Sequence, residues 1–175
     1  MKRPNEPSSC AYPFAVVHLE GTWNATALQW QAALAADSSD ELHQLMAEQV
    51  ALRLHDEAIA GHAPEQPLPE QELDVTHYRE EGQAFDIVYV TPAPLSTAAV
   101  AIERALAEDG VSQAELARRM GVPPSSVSRI ADPLYFGHTT NTLRAVAEAL
   151  GRELRIELVA PRGDHGTPAR QRPRD

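Results

Sequence analysis

Apolar and polar positions along the chain change period several times, and each change marks an expected element. Residues 12–19 (Tyr-Pro-Phe-Ala-Val-Val-His-Leu) are rich in strand formers, Glu20-Gly21 is a turn signal, and residues 25–30 are expected to return as the second arm of a hairpin. A third short strand is expected at residues 32–36, although its alanines are equally compatible with helix. From Asp40 to about Ala60 the residues Leu42, Leu45, Met46, Val50, Leu52, Leu54 and Ile59 recur at helical spacing, with Ser39 as the expected N-cap and Gly61 as the stop. Residues 62–72, rich in Pro, Glu and Gln, read as a loop, and residues 85–90 read as a strand that Pro92 and Pro94 terminate.

The second half is purely helical in period until its end. Leu95, Ala99, Ile102 and Leu106 mark one helix face ending near Gly110, and Ser112 with Glu115 has the spacing of a capping box for the next helix. Gln113, Ala117 and Gly121 fall four apart, with a glycine where the chain must turn. Pro123 and Pro124 suit the first turn of a third helix, and Leu116, Met120, Val127 and Ile130 supply the apolar positions that hold the two together. After a loop at residues 132–138, Thr139 or Thr140 caps a fourth helix in which Leu143, Val146, Ala147 and Leu150 share a face before Gly151. Leu154, Ile156 and Leu158 then alternate with Arg155 and Glu157, which predicts a trailing strand.

The expected fold class is α+β: a small N-terminal α+β domain over residues 12–91, then an all-α domain with a trailing strand over residues 95–160. Residues 1–11 are expected to be a flexible N-terminus and residues 161–175, Arg- and Pro-rich, a disordered basic tail.

Charge sharpens this division. The chain of 175 residues has a formal net charge of −10, yet residues 1–95 carry four Lys/Arg against fifteen Asp/Glu and residues 96–175 carry eleven Arg against ten Asp/Glu. Two halves with different partners fit that split better than one. The single cysteine, Cys10, excludes an intramolecular disulfide framework, and no apolar run is long enough to span a bilayer. Met1-Lys2-Arg3 is followed by polar residues, so neither a secretory signal nor a lipid anchor at Cys10 is expected, and a cytoplasmic location with no membrane partner follows.

Residues 95–159 resemble the Cro/repressor type of helix-turn-helix through Gln113, Ala117, Gly121, Val127 and the helix at residues 143–150. A narrower likeness lies in residues 138–154 (His-Thr-Thr-Asn-Thr-Leu-Arg-Ala-Val-Ala-Glu-Ala-Leu-Gly-Arg-Glu-Leu), which follow an α+β half opening Tyr12-Pro13 and are similar to HicB-family antitoxins. The resemblance implies a partial ribonuclease-H-like first domain that binds and blocks a small basic ribonuclease (HicA-like) toxin. It also implies a second domain that binds the promoter of its own operon; since one helix-turn-helix covers one half-site, a homo-oligomer, dimer or tetramer, is expected. Where that family carries an aspartate-leucine-proline-glycine-cysteine-like segment, this chain has Gln31-Ala32-Ala33-Leu34-Ala35-Ala36.

Carried over position by position, the resemblance places Gln113 on backbone phosphate, with Ser125, Ser128 and Arg129 facing base edges and Ser126 and His138 as further phosphate contacts. Arg129 is the expected specificity residue, because a guanidinium binds guanine in a bidentate manner. Pro124 stands where many repressors have an amide or a charge. An acidic first half suits a basic ribonuclease, while acidic faces also serve solubility alone.

No catalytic or metal site is expected. The histidines at 18, 43, 55, 62, 77, 138 and 165 form no compact ligand motif, Asp86 alone is not a carboxylate cluster, and neither a phosphate loop nor a nucleophile elbow is present. The expectation is therefore an antitoxin and autorepressor that needs no cofactor. The alternatives are a stand-alone regulator with a ligand-sensing or oligomerising first domain, and a ribonuclease in its own right.

Overall fold

The computed structural model describes residues 10–157. The expected tail at 161–175, most of the expected flexible N-terminus and the last residue of the trailing strand, Leu158, lie outside them. Ala11 is already buried, so the packed chain begins before Tyr12.

The fold is α+β. Four strands, β1 (Tyr12–Leu19), β2 (Thr22–Ala27), β3 (Ala33–Ala36) and β4 (Asp86–Val90), form one antiparallel sheet in the order β3-β2-β1-β4. The second strand starts three residues earlier than its apolar pattern suggests, and the turn explains why. Glu20 and Gly21 both have positive φ, 51° and 86°, which is the backbone of a two-residue hairpin turn that pairs Leu19 directly with Thr22.

Helix α1 (Ser39–Ile59) packs its Leu42, Met46 and Val50, spaced i, i+4, i+8, against Tyr12, Phe14, Val16, Ala25 and Val90 of the sheet. Its cap is Ser38 rather than Ser39: Ser38 is extended and its Oγ accepts the Glu41 N–H at 3.2 Å. The other face of β1 is buried as well, so this strand reads as a continuous apolar run rather than an alternation. The segment between α1 and β4 is tied to the sheet region by Tyr12 Oη donating to Glu65 O (2.7 Å) and Tyr89 Oη donating to Leu68 O (3.2 Å). That segment, whose residues 62–72 read as a loop in sequence, holds a 3-10 turn at Glu70–Glu72 and the short helix α2 (Thr76–Glu80).

A second apolar cluster follows β4. It is built by α3 (Thr97–Asp109), α4 (Gln113–Met120), α5 (Pro124–Ile130) and α6 (Thr140–Leu150), through Ile102, Leu106, Leu116, Ala117, Val127, Ile130 and Val146. The two clusters meet where the Ala93 N–H donates to Ala47 O (2.9 Å) and where His55 of α1 bonds Glu103 of α3.

Residues 152–157 form no strand. Strand formation needs a partner edge, and the α helices around this segment offer none; Ile156 instead stands 62% exposed. The alternation of Leu154 and Ile156 with charged residues is thus real in sequence but unpaired in the single chain.

Candidate nucleic-acid interface

Helices α4 and α5 are joined by Gly121-Val122-Pro123. Gly121 has φ +67°, a left-handed conformation that a Cβ would strain, and its N–H donates back into the last turn of α4. Pro123 then stands at the start of α5 and Pro124 in its first turn, where a missing N–H leaves no helical bond unmade. Val127 and Ile130 are buried against Leu116, which fixes how α5 is rotated. With that rotation set, Ser125, Ser128 and Arg129, spaced i, i+3, i+4, lie on one exposed face.

Gln113 is exposed at the first turn of α4. Ser126 is half-buried, its N–H donating to Pro123 O at 2.9 Å. His138 is turned inward: its Nε2 bonds Ile130 O at 2.7 Å and its Nδ1 lies 3.4 Å from Ser96 Oγ. A carbonyl accepts only, so this contact needs the proton on Nε2. A phosphate contact from this imidazole would require breaking the Ile130 bond.

The capping box expected at Ser112 and Glu115 is half formed. Ser112 Oγ accepts the Glu115 N–H at 3.1 Å. The Glu115 carboxylate turns along the helix to receive Arg118 (2.8 and 2.7 Å) and Arg119 (2.8 Å). Hydrogen bonds from Arg118 first and Arg119 second hold its carboxyl down to about 2. Arg152 makes a similar clamp at the end of α3, donating to Asp109 at 3.0 and 2.7 Å and to Glu108 at 3.0 Å, which lowers the Asp109 carboxyl.

Because these groups are more acidic when folded than the roughly 4 of a free carboxylate, the folded chain binds fewer protons than the unfolded one. Their stabilisation is complete above the unfolded value and is lost as pH falls toward the folded one. Glu115→Gln should therefore flatten the acid limb of the helical circular-dichroism titration between about pH 5 and 2. Identical acid limbs for the two proteins would show that the pairing adds no stability.

Arg129 differs from these arginines. Among the described residues its guanidinium has no carboxylate partner and lies 5.3 Å from the centroid of the Tyr135 ring. Tyr135 was not among the residues singled out by sequence, since its contact depends on how the loop after α5 folds back.

Among the described residues no group of three or more His, Cys, Asp or Glu side chains is placed to hold a metal ion, and no helix is long and apolar enough to cross a membrane. No family model matches the chain. Over 78 residues it is 41% identical to the Antitoxin HicB of Pseudomonas fluorescens (strain Pf0-1), an overlap of 45% of this chain and 52% of that protein. The chain thus spans about half the length of the curated relative it matches. That identity supports a relationship between this chain and the HicB antitoxins.

Proposed function

We propose that the chain is the antitoxin of a type II toxin–antitoxin system that represses its own operon by sequence-specific DNA binding. The observation that carries the DNA-binding part is the exposed face of Ser125, Ser128 and Arg129 on a helix locked by Val127 and Ile130 onto α4. This is the arrangement by which a helix-turn-helix presents side chains to the major groove. The antitoxin part draws support from the similarity to Antitoxin HicB.

In this reading residues 95–160 form the DNA-binding domain. Gln113 and Ser126 contact phosphates, Ser125, Ser128 and Arg129 meet base edges, and His138 supports the face from within. Residues 12–91 form the domain that neutralises a small basic ribonuclease, to which their excess of acidic residues is electrostatically suited. The chain acts in the cytoplasm as a regulator rather than an enzyme. One such motif covers one half-site, so a homodimer or a higher even assembly is expected on a palindromic operator.

Arg129→Ala tests the reading. Duplexes are selected from a random pool by the wild-type chain, and both proteins are titrated against them in a mobility-shift assay. Loss of one bidentate guanine contact, about 1–3 kcal/mol, corresponds to weakening by roughly five- to 150-fold on the selected duplex. An unchanged sequence preference would remove Arg129 from base recognition. Co-purification of a small basic ribonuclease encoded beside the gene tests the antitoxin role, and a chain that captures none would leave only the regulator.

A further inference from the structure

We infer that Tyr135, in the loop between α5 and α6, is a positioning residue that holds the Arg129 guanidinium in its reading pose before DNA arrives. This rests on the reading of Arg129 as the base-contacting residue and adds what prepares it.

An exposed arginine ordinarily samples many rotamers, and that freedom is lost on binding. Here the guanidinium lies 5.3 Å from the Tyr135 centroid, within cation–π range. The ring is itself fixed. Tyr135 Oη donates to Gly137 O at 3.0 Å, and the ring meets that of His138 edge-on, with centroids 5.1 Å apart and planes at 64°. His138 is anchored in turn by Ile130 O, one residue beyond Arg129. The loop therefore closes a circuit back to the helix that carries the arginine.

Gly137 is the second, independent sign that this pose is built in. A Cβ at that position would lie 2.5 Å from Tyr135 Oη and 2.6 Å from Cζ, so the ring occupies its place because residue 137 has no side chain. Replacing Gly137 with alanine leaves both Arg129 and Tyr135 in the chain yet displaces the ring.

The experiment uses the full chain and the duplex selected by the wild type, beside a non-specific duplex of equal length. Tyr135→Leu and Gly137→Ala should each weaken specific binding about three- to tenfold, leave non-specific binding within twofold, and have no further effect in an Arg129→Ala background. Tyr135→Phe, which keeps the ring, should remain within about threefold of wild type. In DNA-free protein the Arg129 Nε–H resonance should lose its ring-current shift in Tyr135→Leu and keep it in Tyr135→Phe.

Equal weakening on both duplexes, or effects that multiply with Arg129→Ala, would overturn the positioning role, as would an Arg129 resonance indifferent to the loss of the ring. A full ring-current shift together with an Arg129→Ala variant that binds normally would mean that the contact exists but Arg129 does not read bases. That outcome fails the underlying reading and the inference with it, through a different measurement.

Discussion

Leu116→Ala should destabilise the four-helix half by about 2–5 kcal/mol, the usual cost of emptying a buried leucine site, and should abolish sequence-specific DNA binding. Leu116 is fully buried, and it is the side chain against which Val127 and Ile130 set the rotation of α5. A cavity there loosens the one contact that points Ser125, Ser128 and Arg129 outward together. For a unit of some 60 residues the thermal midpoint falls by roughly 4–8 °C per kcal/mol.

The two tryptophans make the measurement selective. Trp23 and Trp30 both belong to the sheet cluster, so their fluorescence reports that half alone, while the circular-dichroism signal weighs the helices more heavily. If the halves are separate folding units, Leu116→Ala lowers the helical transition and leaves the tryptophan midpoint in place. A tryptophan transition that moves by the same amount would show one cooperative unit and defeat the division at residues 91–95.

The second large effect is expected from Phe14→Ala, at about 3–5 kcal/mol. Phe14 is wholly inaccessible in the central strand, paired with Ala27 on one side and Val88 on the other, and meets Trp30 edge-on with ring centroids 5.9 Å apart. Its removal strips packing from between α1 and the sheet and unseats Trp30, so the tryptophan emission should shift red and its midpoint should fall. Specific DNA binding should persist, since no residue of the proposed reading face belongs to this cluster. Capture of a ribonuclease partner should be lost. A variant that keeps its partner and loses DNA would invert the assignment of the two halves.

Elements with a strong period and a clear cap were legible in the sequence. The Ser112 and Thr139 caps, the glycines that end α3, α4 and α6, and the buried triad of Leu116, Val127 and Ile130 all lie where local chemistry places them. The misplaced second strand shows the limit of apolar pattern alone. Strand register was dictated by a turn in which Glu20, not a glycine, takes the first positive φ. The trailing strand failed for a different reason, because alternation predicts which side chains face one way and says nothing about whether an edge is available to pair with.

Within the candidate site, exposure of Gln113, Ser125, Ser128 and Arg129 followed from helix periodicity. The inward turn of His138 and the seat of Arg129 on Tyr135 did not, because both depend on loop contacts between residues three to eight positions apart that carry no repeat. Gly137 was the available hint: a glycine beside aromatic residues in a short loop, where close approach leaves no room for a Cβ.

The internal pairing of the arginines bears on how such a chain would find its site. Arg118 and Arg119 share the Glu115 carboxylate, Arg152 holds Asp109 and Arg155 holds Glu153, so a phosphate that recruits any of them competes with an acid of the same chain. Fewer condensed counterions are then displaced from the duplex than the number of arginines suggests, and each phosphate actually neutralised contributes only about 0.9 to the salt exponent. Together with a net charge of −10, this favours a protein that spends little time on random DNA. Its residence would come from base contacts and from the doubling of half-sites, and its occupancy of an operator would be comparatively indifferent to ionic strength.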